Sequence, residues 1–280
     1  MRRNNYIYFP DNIIADALKK PTNVREIERH YFMQHVDDFQ RAVFLLRGIT
    51  NYKYCHHINR ANADYFYFDT GYFGNMNSYY EPPTYKKAFH RMVYNNLQLN
   101  ELEKVDDSRY QIILKYIRKD FKVKEKDLIK PWKKNGSKIL ICPPSEKVSH
   151  TFGIKTDPWI EEVTSEIKKY SDREIIVRKK TETRMNRVTN PIQKVLDDDI
   201  FILVTYNSIA ATEAIIHGIP ALTLGVNAAT SVSINKIKKI ENPVYPDRQL
   251  WLNNLAYGQF HIEEFQNGVV WDHIEKIANQ

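Results

Sequence analysis

The sequence is short of the features that assign a protein to a class most quickly. It holds 2 cysteines, Cys55 and Cys142. They lie too far apart for a metal-ligand spacing, so neither a disulfide framework nor a zinc site is indicated, and both are expected as buried free thiols. No apolar run approaches the ~20 residues that a membrane span requires, and the opening MRRNNYIYFPDN lacks the apolar core of a signal peptide. A cytoplasmic protein with no membrane partner is the resulting expectation. Gly-x-Gly-x-x-Gly after a strand, Gly-x-x-x-x-Gly-Lys-Ser/Thr and His-Glu-x-x-His are also missing, which withdraws support from dinucleotide enzymes, P-loop enzymes and helical zinc hydrolases. There is no internal repeat and no low-complexity segment.

What is present is the composition of a soluble globular protein. A hydrophobic fraction of 42% and a charged fraction of 27% leave no signature of disorder, while 18 tyrosines raise the aromatic share to 12%. At roughly 150 residues per domain, 280 residues suggest two domains. The net charge of +7 and pI near 9.1 suit a polyanionic partner, because clustered Lys and Arg displace counterions from phosphates. Base composition alone also gives such a balance in chains rich in Lys, Asn and Ile.

In the first half, a strand is expected over residues 6–9 and a short helix over 11–20, stopped by Pro21. The spacing allows a second helix over 24–33. The apolar run AVFLL predicts a strand ending in Arg47-Gly48, and residues 52–62 a helix. DYFYFDTGYF predicts a third strand, ending in Asp69-Thr70-Gly71. This alternation is that of a parallel sheet with right-handed crossovers. Residues 74–84 form an aromatic, turn-rich loop, and 85–130 are mixed in period. Within the latter, Tyr110, Ile113, Leu114 and Ile117 give an amphipathic helix one face. Lysine-rich residues 119–134 resemble a solvated connector, placing a domain boundary near Asn135-Gly136.

The second half has strands at 138–142 and 174–178 and helices at 157–171 and 191–196. Its most organised stretch is IFILVTYNSIAATEAIIHGIPALTLG, residues 200–225. A buried strand, a turn capped by Asn207 or Ser208, a helix, a stop at Gly218 and Pro220 and a second strand follow one another. Beyond it, helices are expected over 231–237, 248–255, 262–266 and 270–277. Asp197-Asp198-Asp199 reads as a solvated turn before the strand rather than as a metal site. Two α/β domains of this kind place ligands outside the carboxyl ends of their strands.

Glu213 lies five residues before Gly218, at a depth where its carboxylate accepts hydrogen bonds from vicinal hydroxyls, as acidic residues do with nucleotide ribose. It also suits a helix amino terminus with no ligand at all. The run YNSIAATEAIIHGIP resembles the nucleotide-sugar-binding segment of the two-domain GT-B glycosyltransferases, including the enzyme that adds N-acetylglucosamine in peptidoglycan synthesis. Those show a small-residue turn, then Glu, then Gly-hydrophobic-Pro. In that family the Glu binds ribose and the turn binds the diphosphate, which the resemblance assigns to Glu213 and to Tyr206, Asn207 and Ser208. Asn207 stands where the family has glycine. More broadly, the order RG, YFDTGYFG, HRMVYNNLQ, LICPPS, IIVRKK, TEAIIHGIP and WLNNLAYGQFHIEEFQNGVVWD resembles bacteriophage glycosyltransferase-like proteins. Some phage enzymes of this kind glycosylate hydroxymethylated pyrimidines in viral DNA.

The resemblance implies further roles. An inverting transfer needs a group to take the acceptor hydroxyl's proton, and Asp69, at a strand end, is the candidate base. It serves equally as a cap for the turn into Thr70-Gly71. His90 and His150 are alternative bases. Arg47, Gly48, Gly71, Tyr72, His90 and Arg91 form the candidate acceptor side, Gly48 and Gly71 permitting close backbone approach. Tyr72, Phe73, Tyr79 and Tyr80 either stack on an acceptor or cover the first sheet. Arg178 and Lys180 are candidates to neutralise the departing diphosphate, with Ser145 a further phosphate ligand. Surface basicity is the alternative for both cations.

The expectation is therefore an α/β protein of two Rossmann-like domains facing across a GT-B-like cleft. Residues 1–134 would bind the acceptor and 135–280 the nucleotide sugar. The reaction expected is metal-independent inverting transfer from a UDP-sugar, with no cofactor, to hydroxymethylpyrimidine in double-stranded DNA, in the host cytoplasm if the protein is viral. A glycan or lipid-linked acceptor, or a non-catalytic nucleotide binder, are the alternatives.

Overall fold

The computed structural model describes residues 5–10, 12–19, 24–73, 89–99, 101–121, 128–180 and 191–280. They form two compact units. The first is Met1–Gly71, Thr84–Leu97 and Gly258–Gln280, and the second Tyr72–Pro83 and Gln98–Tyr257. The units thus do not divide at a single point near Asn135-Gly136. Residues 98–134 belong with the second unit, where the helix Ser108–Phe121 packs on Gln249–Tyr257, and the last 23 residues return to the first.

Ten strands, numbered in chain order, are present among the described residues. The first unit contains β1 (Tyr6–Tyr8), β2 (Val24–Glu26), β3 (Val43–Arg47), β4 (Asp64–Thr70), β5 (Phe89–Tyr94) and β10 (Gln259–His261), in the order β10-β5-β4-β3-β1-β2. The first four run parallel, while β5 is antiparallel to both β4 and β10. Alternation along β3 explains its continuous apolar run. Val43 and Leu45 pack with Phe66, Phe68, Phe260 and Ile274 on one face, Phe44 and Leu46 with Phe32, Ile58, Tyr65 and Tyr67 on the other.

Three expectations for this unit are corrected. Val24–Glu26 is an edge strand paired with β1, Val24 being buried and Arg25 and Glu26 exposed, so the helix begins only at Arg29. Backbone pairing overrides the helix propensity of Arg and Glu. The helix expected over 52–62 is two short ones, Ile49–Tyr52 and Cys55–Arg60. Finally, the expected parallel sheet is mixed, because β5, from a segment with no clear period, runs antiparallel to β4 and β10.

The second unit contains β6 (Lys138–Cys142), β7 (Glu174–Val177), β8 (Ile200–Thr205) and β9 (Ala221–Thr223), all parallel, in the order β7-β6-β8-β9. All six residues of β8 are buried, as are all seven of the helix Ala210–Ile216 that follows. Gly218 ends that helix at φ +83°, and a Cβ there would lie 2.0 Å from the Pro131 carbonyl oxygen. Both its conformation and its surroundings require glycine. Tyr110, Ile113, Leu114 and Ile117 are buried as their spacing predicts.

Residues 231–237 are not a helix. Two 3₁₀ turns, Thr230–Val232 and Ile237–Lys239, flank Ile234, which bridges to Leu222 beside β9. An unforeseen helix, Glu146–Phe152, follows β6. Each aspartate of the triplet faces a lysine: Lys130 at 2.8 Å from Asp197, Lys138 at 2.9 Å from Asp198 and Lys133 at 3.9 Å from Asp199. No group of three or more His, Cys, Asp or Glu among the described residues is arranged to hold a metal. Nor is any described helix long and apolar enough to cross a membrane.

Counted from its own first strand, the parallel part of each sheet has the same order, second-first-third-fourth. In such sheets the connections leaving the first and third strands diverge to opposite faces, opening a crevice at their carboxyl ends. The crevice falls at β1 and β3 in one unit and at β6 and β8 in the other.

Candidate functional site

In the second unit that position opens into a cavity of about 90 Å³ lined by Cys142, Pro143, Arg178, Lys180, Pro191, Ile192, Ser208, Ile209, Ala210 and Glu213. The volume is well short of the ~300–1,000 Å³ of a complete small-molecule pocket. Under it, Thr205 Oγ1 donates to the Cys142 carbonyl at 2.6 Å and ties the ends of β6 and β8 together. Pairing carries Arg178 onto the sheet, its N–H donating to the Ile141 carbonyl at 2.9 Å. Glu213 is buried and accepts from Gln193 Nε2 at 3.4 Å. Burial pushes the Cys142 thiol up to about 12, with Arg178 pulling it down and Glu213 pushing it up. Both charges therefore act on the same strand end.

A larger, open basin of about 830 Å³ lies at the opposite, amino-terminal edge of this sheet, around Ser137, Lys168, Arg173 and Glu241. There Arg173 is consumed by Glu241, 2.9 Å away, and covers the Phe201 ring at 3.7 Å. The basin also lies at the edge where α/β sheets do not place ligands.

The first unit carries a charged cluster at the ends of β3, β4 and β5. Asp69 accepts from Tyr67 Oη at 2.7 Å, the Thr70 N–H at 2.8 Å and Arg47 Nη1 at 3.1 Å, with Arg91 Nη2 at 3.5 Å. Burial alone would raise the Asp69 pKa. Arg91, then Arg47, then the two hydrogen bonds outweigh it and hold the carboxyl well below the usual carboxylate range. The low proton affinity of Asp69 suits an anchor for two arginines, whereas a general base is expected to titrate near the working pH. His90 is no better placed. Burial, then Arg47, lowers its imidazole to about 3, and only 1% of the residue is exposed.

Neither a protein-family model nor a curated protein matches the chain. Solved structures do. The Thermosulfurimonas dismutans KpsC β-Kdo 2,7 transferase aligns with TM-score 0.52 at 12% identity, covering 95% of this chain and 98% of its own. The β-Kdo 2,4 transferase of the same organism's KpsC gives 0.52 at 13%, with the same coverage. At such identity the likeness is one of fold. The chain has an α/β, GT-B-like fold.

Against that fold the expected site residues divide. Arg178, Lys180, Ser208 and Glu213 come together on one cavity. Ser145, Tyr206 and Asn207 do not line it. Ser145 precedes the helix Glu146–Phe152, while the Tyr206 ring packs against Phe152 and leaves no room for a Cβ at Gly225. Asn207 is buried. Positive φ among described non-glycine residues occurs only at Arg41, Asn62 and Asn95, so the turn at Asn207 has no conformational need for the family's glycine.

On the acceptor side, Gly48 adopts φ +76° with open space around it, a conformation costly for other residues. Gly71 is glycine for packing, because a Cβ would lie 2.7 Å from that of Phe89. Tyr72 is fully buried, its hydroxyl accepting from the Leu99 N–H, and Arg91 is 6% exposed. Neither presents a surface to an acceptor. His150 is exposed, and Tyr79 and Tyr80 lie outside the described residues. Sequence reasoning missed Cys142, Pro143, Pro191, Ile192, Ile209 and Ala210, apolar or small lining whose only signal was adjacency to strand and helix ends.

Proposed function

We propose that the protein is a glycosyltransferase that holds a nucleotide-sugar donor in the cavity of its second unit. The observation that carries the reading is one carboxylate and two cations, Glu213, Arg178 and Lys180, converging at the crevice of the β6–β8 sheet of a GT-B-like fold. Glu213 accepts hydrogen bonds from the ribose hydroxyls. Arg178 and Lys180 compensate the charge that grows on the diphosphate as its bond to the anomeric carbon breaks. An acceptor hydroxyl forms the new bond from the opposite face and passes its proton to solvent water, for inversion without a metal. The leaving group is a nucleoside diphosphate, UDP being the first candidate. Acceptor binding falls to Arg47 and Gly48 of the first unit, with Asp69 holding the guanidinium in place.

A sugar acceptor is favoured, because the structural neighbours are named as Kdo transferases that form 2,7 and 2,4 linkages. Hydroxymethylpyrimidine DNA is the second reading, supported by the net charge of +7. Incubation with a panel of nucleotide sugars, read as nucleotide release, tests the enzyme. Repeating it with oligosaccharides and with hydroxymethylated duplex separates the acceptors. No release with any donor would contradict the reading.

A further inference from the structure

The turn between β8 and the Glu213 helix is held by two amide side chains from elsewhere in the second unit. Gln98 is 2% exposed and lies 109 positions away in sequence; its Nε2 donates to the Asn207 carbonyl at 2.5 Å, and its Oε1 accepts from the Ala228 N–H at 3.1 Å. Asn227, fully buried, donates from Nδ2 to the Ser208 carbonyl at 3.0 Å and accepts at Oδ1 from the Ala229 N–H at 3.0 Å. The clamp is itself braced, since Trp251 Nε1 donates to the Ala228 carbonyl at 2.7 Å. Two consecutive carbonyls are thus turned inward by side-chain donors, that of Ser208 also accepting from the Ala211 N–H at 3.3 Å.

In a trans peptide the carbonyl and the following N–H point in opposite directions. The plane that carries the Asn207 carbonyl carries the Ser208 N–H, and the plane of the Ser208 carbonyl carries the Ile209 N–H. Drawing both carbonyls inward therefore turns both N–H groups the other way, at the two residues that line the cavity beside Arg178 and Lys180. Elsewhere a glycine lets such a turn approach a phosphate; here Asn207 occupies the place and the amide clamp fixes the planes.

We propose that Gln98 and Asn227 are positioning residues, which orient the Ser208 and Ile209 N–H groups to receive the donor's phosphate. The inference rests on the donor-site reading above. It assigns a role to Gln98 that neither its local sequence nor the cavity lining indicates.

The test is calorimetric titration of UDP and CDP, with uridine and cytidine as controls, into the full chain and its Gln98→Met variant. Met fills the volume without either hydrogen bond. The expected result is diphosphate affinity weakened about 10-fold, the scale of one or two lost hydrogen bonds, with nucleoside affinity within about 2-fold. Equal loss for nucleoside and diphosphate, or no loss, overturns the inference and leaves the donor site standing. Failure of the unaltered protein to bind any nucleotide overturns both. Where Gln98→Met does not fold, amide exchange in the unaltered protein decides. Added UDP or CDP should slow exchange at Ser208 and Ile209, and unchanged exchange under saturating ligand overturns the proposal.

Discussion

At the carboxyl ends of β1 and β3 the polar side chains of the first unit bridge neighbouring chain segments, whereas at β6 and β8 those of the second unit line a cavity. Arg29 donates to the Pro10 carbonyl at 2.9 Å and to Asn51 Oδ1 at 3.0 Å, and lies 5.6 Å from the Phe9 ring. Asn51 donates to the Arg47 carbonyl and Asn12 to that of Leu45, both at 2.9 Å. Every one of these bonds closes on the protein. In the second unit Arg178, Lys180, Ser208 and Glu213 line one cavity, where Glu213 accepts from Gln193 and the Ser208 hydroxyl from the Ala210 N–H, and the bonds of Gln98 and Asn227 hold the backbone of the adjoining turn. Two sheets of one strand order thus carry different arrangements of polar groups at the same topological position. Topology says where to look, and the disposition of polar groups distinguishes the two positions.

Substitutions break the comparison in order of size. Arg178→Ala should lower nucleotide release from the donor by about 100-fold or more, with a smaller shift in melting temperature than Asp69→Asn; steady-state kinetics and calorimetry check it. Asp69→Asn should do the reverse. It leaves two arginines around a neutral group and should cost about 2 kcal/mol, less than for a fully buried pair because a quarter of the Asp69 side chain is exposed, with nucleotide affinity unchanged.

The pH dependence sharpens this second case. Because the Asp69 pKa is depressed on folding, its stabilisation is complete above the unfolded value of about 4 and fades as pH falls through the folded value. Denaturant titrations should therefore show the full gap between Asp69→Asn and the unaltered protein at pH 7, shrinking below about pH 4. Arg29→Met should cost about 1–2 kcal/mol through two lost hydrogen bonds, again with nucleotide affinity intact.

The difference between the units also decides what could be read from the sequence. The β8–helix–β9 segment was legible because burial on both faces makes β8 apolar throughout, and because Gly218 and Pro220 mark the helix end. Arg178 and Glu213 could be grouped, since Arg178 directly follows β7 and Glu213 lies in the first turn of a recognisable helix. The strand β5 could not. FHRMVY buries His90 and Arg91, polar residues that the apolar-periodicity rule sends to solvent, and Arg91 is inside because Asp69, 22 positions earlier, is its partner. Gly71 was read as a ligand approach when Phe89 explains it, because only the pairing of β4 with β5 brings that backbone near. Gln98 carries no local signal at all, its partners being more than 100 positions away.

The most direct test compares the two crevices by titrating UDP and CDP into Glu213→Ala and Arg29→Met side by side. The account predicts affinity about 10-fold or more below that of the unaltered protein for Glu213→Ala, which loses bonds to the ribose hydroxyls, and unaltered affinity for Arg29→Met. Equal affinity in the two variants, or a loss confined to Arg29→Met, would contradict a nucleotide site at the β6–β8 crevice.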